Sequence, residues 1–404
     1  MQKSAQYQAV LEILEEVLQD KRPADLIVNE YIRARKYIGS KDRKAISDTV
    51  WGIIRNRMKL EFDCKNNNAR NLLLTYLKNE DLELLCGVAE YGLTALTKEE
   101  RNMLENLSEE QYPDYVEAEM PQWLYEKINN DTLCRSLNEP ATADFRINNI
   151  ERDEAIKRLQ KEGLYFAKTP YSPLGLRSSE RVNINNCIMY REGNIEIQDE
   201  ASQIAAILCD VSPKHKIIDY CAGAGGKSLA MAVLLDGKGT IFAHDINKAR
   251  LMPLKERMDR LHIKNITVKD KVEDIDFDRF IIDAPCSGSG TFRRSPDAKF
   301  RLTEEKLKQI EQAQKEVLDF AYNHTKSGGE IVYITCSVLQ TENQNRIEEF
   351  LACHNDCKLV NLKNRWQNKI SEYFPFDNEY MLSFSPLNTN TDGFFVSVIC
   401  KERT

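Results

Sequence analysis

Two cysteines, Cys286 and Cys336, lie 50 residues apart, and each closes a predicted strand. Cys286 sits in Asp283-Ala284-Pro285-Cys286-Ser287-Gly288-Ser289-Gly290-Thr291: an acid, a proline-set turn, a thiol and a glycine loop after an apolar run. Cys336 sits in Thr335-Cys336-Ser337. One thiol at a strand end is most simply a small core side chain. Two on neighbouring tips of a parallel sheet face the same crevice, where ligands of such sheets bind. A thiolate adding to carbon-6 of a pyrimidine makes carbon-5 enamine-like, so that it can attack a methyl sulfonium. The carbon-5 proton must then be removed and the thiol eliminated. A second thiol and an acid near the ring suit that proton handling.

Upstream, Asp219 ends a strand and is followed by Tyr220-Cys221-Ala222-Gly223-Ala224-Gly225-Gly226-Lys227-Ser228. Glycines let the backbone approach a ligand closely, and the helix that follows offers free N–H groups. The run is neither G-x-G-x-x-G, since position 228 is serine, nor a Walker phosphate loop. Asp245 ends the next strand, 22 residues beyond Gly223, where an acid can accept hydrogen bonds from ribose hydroxyls. A nucleoside cofactor without a pyrophosphate fits this altered spacing, which points to S-adenosylmethionine.

Strand and helix alternate from about residue 201 onward. Strands are expected at 216–219, 240–243, 266–268, 280–283, 331–334 and 393–399, with helices between them. One long helix is expected over 303–326, ended by Gly328-Gly329. Such alternation predicts a parallel, doubly wound sheet. Residues 131–200 read as a small α+β segment. Residues 1–130 read as helices, with apolar faces such as Val10, Leu11, Leu14, Val17 and Leu18, and later Leu82, Leu84, Leu85 and Val88.

These motifs together resemble the RsmB/NSUN family of RNA cytosine-5 methyltransferases. Asp219–Lys227 resembles its cofactor motif, Asp283–Gly288 its proline-cysteine motif, and Thr335–Val338 its threonine-cysteine motif, followed by Glu342-Asn343. Gln198–Ser202 and Thr391–Phe395 resemble flanking motifs, and Pro121–Leu124 and Phe145–Asn148 the small domain before them. The likeness implies an α/β fold: a doubly wound, Rossmann-like class I methyltransferase domain over 201–404, a small α+β domain over 126–200, and a NusB-like α-helical RNA-binding domain over 1–125. It implies Cys336 as the nucleophile, Cys286 assisting release and Asp283 beside them. DNA cytosine-5 methyltransferases use the cysteine of the proline-cysteine motif, so this assignment follows the family and not the spacing. It implies a cofactor site lined by Cys221, Ala222, Gly223, Ala224, Gly225, Gly226, Lys227, Asp245, Asp270 and Asp283. Ala224 stands where relatives commonly carry proline, which predicts a less rigid turn.

The 404 residues carry a formal net charge of −7, which read alone argues against a nucleic-acid partner. The average hides a split. Residues 31–59 hold nine basic against two acidic side chains, and residues 78–120 hold twelve acidic against three basic. The expected orientation is 31–59 toward RNA and 78–120 toward solvent, with Arg293 and Arg294 also on phosphate. The eleven cysteines include no CxxC pair and histidines number five, so no metal site is expected. No apolar run reaches membrane-span length. The expected protein is a cytoplasmic monomer with reduced thiols whose partner is RNA, most simply ribosomal. Transfer RNA methylation and a non-catalytic ribosome assembly factor are the alternatives.

Overall fold

The computed structural model describes residues 1–178, 182, 184–272 and 276–403. Cα packing divides them into two compact units: Met1–Glu139 with Phe292–Thr303, and Pro140–Thr291 with Glu304–Thr404.

The first unit is helical. Helices Lys3–Gln19, Ala24–Ala34, Ser40–Arg55, Arg57–Cys64 and Ala69–Tyr76 turn one apolar face inward. Val10, Ile13, Leu14, Ile27, Ile46, Val50, Ile53 and Leu73 make a continuous buried core. The helix ends have local causes. Asn68 accepts the Asn71 N–H at the start of Ala69–Tyr76, and Lys65 turns left-handed, with φ 51°, after Cys64. The segment Phe292–Thr303 packs into this unit. Asp297 accepts the N–H of Ala24 at 3.1 Å, and buried Lys299 donates to Asn138 at 2.8 Å. The expected helix around Leu82–Val88 is only a short turn at Leu82–Leu84, and Leu84 and Val88 are exposed. Apolar spacing over so few residues does not overcome the cost of helix nucleation.

Among the described residues, the second unit contains two sheets. The smaller is antiparallel: β1 (Ala143–Ile147), β2 (Ala167–Lys168), β3 (Gly175–Ser178) and β4 (Ile195–Ile197), in the order β2-β3-β1-β4. The larger has eight strands: β5 (Lys216–Asp219), β6 (Thr240–Ala243), β7 (Ile266–Val268), β8 (Phe277–Asp283), β9 (Thr325–Thr335), β10 (Cys357–Leu359), β11 (Met381–Phe384) and β12 (Phe394–Lys401). Its path is β10-β12-β9-β8-β5-β6-β7, with β11 also paired to β12.

Only β5 to β9 run parallel. β12 is antiparallel to β9, and β10 and β11 are antiparallel to β12. The fully parallel sheet expected from alternation is therefore corrected to a mostly parallel one. Phe280-Ile281-Ile282 and Ile331–Ile334 are buried throughout, as strands covered on both faces require. The long helix is Glu304–Asn323, and Gly328 and Gly329 do not cap it. They lie inside β9, where Gly328 has φ +81°. A double glycine marks left-handed or crowded backbone in a strand as readily as at a helix end.

Candidate active site

The two strand-end thiols are placed by strand register. β8 and β9 are parallel neighbours with Asp283 opposite Ile334, and the Ala284 N–H donates to the Ile334 carbonyl at 2.8 Å. Both chains then turn out of the sheet, and Cys286 Sγ lies 3.3 Å from Cys336 Sγ. Hydrogen bonding with Cys336, burial, and the charges of Cys336 and Glu342 hold the Cys286 thiol well above its ordinary pKa. Cys286 is thus kept as a thiol.

Lys227 Nζ is 2.7 Å from Asp283 and lies over the Phe394 ring at 5.3 Å. The lysine is 5% exposed. Burial works against its charge, but Asp283 and the Cys336 sulfur outweigh it, so the ammonium is held above its usual pKa.

The glycine loop leaves β5 and is tied down along its length. Ala222 N–H donates to the His244 carbonyl at 2.8 Å, and Gly223 N–H to Asp245 Oδ2 at 3.0 Å. Arg257 donates to the Ala224 carbonyl at 2.6 Å, and Gln198 Nε2 to the Gly226 carbonyl at 3.3 Å. Gly225 has φ +80°, and a Cβ on it would fall 2.2 Å from Leu254 Cδ1, so only glycine fits. Asp219 is buried, which pushes its carboxyl up to about 7. Its Oδ2 accepts the Ser228 hydroxyl at 2.6 Å, while Oδ1 has no hydrogen-bond partner among the described residues. Asp245 also accepts the Asn247 N–H at 2.9 Å and faces Arg250 at 3.2 Å. An orphaned buried acceptor, a loop open to close backbone approach and a held carboxylate one strand away suit the polar ends of a nucleoside cofactor. Cys221 lies between Asp219 and the loop, and its thiol is pushed up by burial first. Asp270 is exposed beyond β7 and pairs with Lys248 at 3.0 Å.

The family model for the 16S rRNA methyltransferases RsmB/F matches residues 206–400. A Synechocystis protein named probable ribosomal RNA small subunit methyltransferase B is 30% identical over 331 residues, covering 77% of this chain and 71% of the relative. This chain belongs to the RsmB/F family. Ribosomal RNA small subunit methyltransferase B of Proteus mirabilis is 30% identical over 298 residues, or 70% of this chain. The chain spans 66% of that relative's length, just short of two thirds. The solved structure of PH0851 shares the fold across 99% of both chains, with a TM-score of 0.79 at 23% identity. The cofactor of RsmB/F methyltransferases is S-adenosylmethionine, and the Asp219, glycine-loop and Asp245 geometry fits it.

Placed within this RsmB/F member, the charge readings need correction. Arg33, Lys36, Lys41, Arg43 and Lys44 are exposed. Arg35 lies 3.5 Å over the Tyr31 ring and pairs with Glu12, Arg57 pairs with Glu61, and Lys59 pairs with Glu117. Arg55 donates to the carbonyls of Asn138 and Arg293. The RNA-facing reading therefore contracts to the exposed five. Arg293 is itself buried and not a phosphate ligand, whereas Arg294 is exposed. The acidic stretch is not a plain solvent face. Glu119 is buried, accepts the N–H groups of Met58 and Lys59, and is pushed up to about 7 chiefly by burial. Glu83 and Glu100 pair with Arg101 and Arg70.

Residues missed as functional include Arg146 and Gln198. Arg146 is fully buried, donates to Gln198 Oε1 at 2.5 Å and to the Gly226 carbonyl at 3.4 Å, and so braces the glycine loop from β1. Both residues stood in recognisable motifs, but only the packing of the small sheet on the loop shows what they do.

Proposed function

We propose that this RsmB/F protein uses S-adenosylmethionine to methylate carbon-5 of a cytosine in 16S ribosomal RNA, with Cys336 as nucleophile and Cys286 serving release. The observation that supports this is the pair of thiols at 3.3 Å on neighbouring strand ends, beside the Lys227–Asp283 ion pair. S-adenosylmethionine supplies an electrophilic methyl group, and Asp219, the loop Gly223–Lys227 and Asp245 would hold it.

Cys336, as thiolate, forms a bond from sulfur to carbon-6 of the base. The electron pair displaced from the ring makes carbon-5 nucleophilic. Lys227 offsets the negative charge while the thiolate is free. Once carbon-5 is methylated, its proton must pass to a base; Asp283 is the carboxylate at hand, and Cys286 serves as one only after giving up its own proton. The pair from that C–H bond restores the ring double bond, the carbon-6–sulfur bond breaks, and its pair returns to Cys336. The base must leave its stack to reach the thiols. We read the helical unit as a NusB-like RNA-binding domain, with Arg33, Lys36, Lys41, Arg43 and Lys44 on phosphates.

The test is a methyl-transfer assay on unmodified 16S RNA with labelled cofactor. Cys336→Ala abolishes transfer, and Cys286→Ala leaves a covalent protein–RNA adduct that survives a denaturing gel. Full turnover by Cys336→Ala refutes the assignment.

A further inference from the structure

Each thiol is followed by a serine, and one buried carboxylate holds both serines. Glu342 Oε1 accepts the Ser287 N–H at 2.8 Å and Gln314 Nε2 at 3.0 Å. Its Oε2 accepts the hydroxyls of Ser287 and Ser337, each at 2.5 Å. A carboxylate is acceptor-only with about four lone-pair sites, and here four donors meet them. Glu342 is fully buried. Its own backbone is anchored to β9, because the Tyr333 hydroxyl donates to its carbonyl at 2.8 Å. Asn343 accepts the Thr335 hydroxyl at 2.6 Å and donates to the Ser337 carbonyl at 2.9 Å.

We propose that Glu342 is a positioning residue that sets the separation of Cys286 and Cys336 and thereby governs release of the methylated base. This rests on the reading of Cys336 as attacker and Cys286 as release group. Charge-assisted bonds to a carboxylate are the stronger kind, and buried in low dielectric they fix both loops at once. Without the carboxylate, Ser287 loses the acceptor for its N–H and the nearer of two partners for its hydroxyl, Ser337 Oγ at 3.3 Å remaining, and the turn carrying Cys286 is released at one end. The loops stay joined elsewhere. Ser289 Oγ lies 2.9 Å from Ser337 Oγ and accepts the Val338 N–H at 3.0 Å. A variant at position 342 therefore loosens the thiol pair without opening the sheet. Glu342 makes none of the bonds that hold the glycine loop, so cofactor affinity is independent of it.

The experiment compares full-length protein with Glu342→Ala and Glu342→Gln. Diamide takes two electrons and two protons from the thiols, leaving a disulfide and its own hydrazine form. The rate of the Cys286–Cys336 link, read by peptide mass, reports position and thiol ionisation; both variants remove the same charge, so the difference between them reports position. Expected for Glu342→Ala is a roughly tenfold slower link and a kcat lower by about 100-fold, the scale of an ångström-sized misplacement. KM for RNA and cofactor stays within about twofold, and the covalent RNA adduct accumulates. Glu342→Gln keeps the acceptor for Ser287 N–H and Gln314 and recovers most of both rates. An unchanged link rate in Glu342→Ala, or equal losses in the two variants, overturns the positioning role. Full turnover by Cys336→Ala overturns the chemical reading instead, and the link rate does not depend on that reading.

Discussion

Gly290 follows Cys286 by four residues and touches Gly393, which comes from the far end of the chain. The Gly290 N–H donates to the Cys336 carbonyl at 3.0 Å, and the Gly393 N–H donates to the Gly290 carbonyl at 2.8 Å. The perturbation is Gly290→Ala. A Cβ there would lie 2.0 Å from the Gly393 oxygen, 2.5 Å from its carbonyl carbon and 2.6 Å from its Cα. Ordinary contact begins near 3.4 Å, so the two backbones must part by about 1.4 Å. All three clashing atoms are main chain, and none can rotate aside. Overpacking of this kind costs about 1–3 kcal/mol, and two weakened hydrogen bonds add about 1 kcal/mol each, for about 3–5 kcal/mol in all. At about 2–4 °C per kcal/mol the melting transition falls by roughly 6–20 °C. Movement on this scale beside Cys336 lowers kcat by about 100-fold. Thermal melting and labelled methyl transfer check both effects. Gly163→Ala is the control, because Gly163 has φ +76° but nothing within 4 Å of its Cβ site, so it carries backbone strain without the clash. If Gly290→Ala melts no lower than Gly163→Ala and keeps full turnover, the close approach does not set the site and the reasoning fails.

Burial holds Asp219 up to about 7 from an ordinary 3.8, so the folded protein keeps a proton there that the unfolded chain gives up. Stability of the cofactor-free protein therefore falls as pH rises from about 4 to about 7, by up to about 4 kcal/mol, and denaturant melts of Asp219→Asn lose that slope. Gly225→Ala drives a Cβ into Leu254 and weakens S-adenosylmethionine binding by about 10-fold or more, measured by calorimetry. Charge reversal of exposed Arg33 and Lys36 weakens RNA binding and lowers the salt slope by about one for each phosphate no longer neutralised. Arg55→Ala instead lowers melting temperature, because Arg55 is spent on the Asn138 and Arg293 carbonyls.

What could be read in advance had local causes. The register of β8 against β9 follows from two apolar runs that end in Asp283 and Thr335, and it places Cys286 beside Cys336. The 22-residue step from Gly223 to Asp245 closes as a direct N–H to carboxylate bond. Other features depended on distant partners. Strand direction at β12 is set by pairing with β9, which alternation of strand and helix does not encode. Gly328-Gly329 obeys the same local rule in a strand as at a helix end, and only pairing decides between them. Charge counting treated Arg55, Arg57 and Lys59 as equal to Arg33 and Lys36, although the first three are used inside the helical unit. The role of Glu342 was hidden because its partners, Ser287, Gln314 and Ser337, converge only in three dimensions.

The assignment of Phe292–Thr303 to the helical unit bears on how such a protein can be dissected or recombined. The polypeptide passes between the units at Glu139–Pro140, at Thr291–Phe292 and again at Thr303–Glu304. A fragment begun at Pro140 would still carry buried Phe292 and Lys299, now stripped of the helices that receive them. The leading region is thus no detachable module. It shares a piece of chain with the loop that bears Cys286, and a graft onto another catalytic domain would have to carry that insert along with the helices.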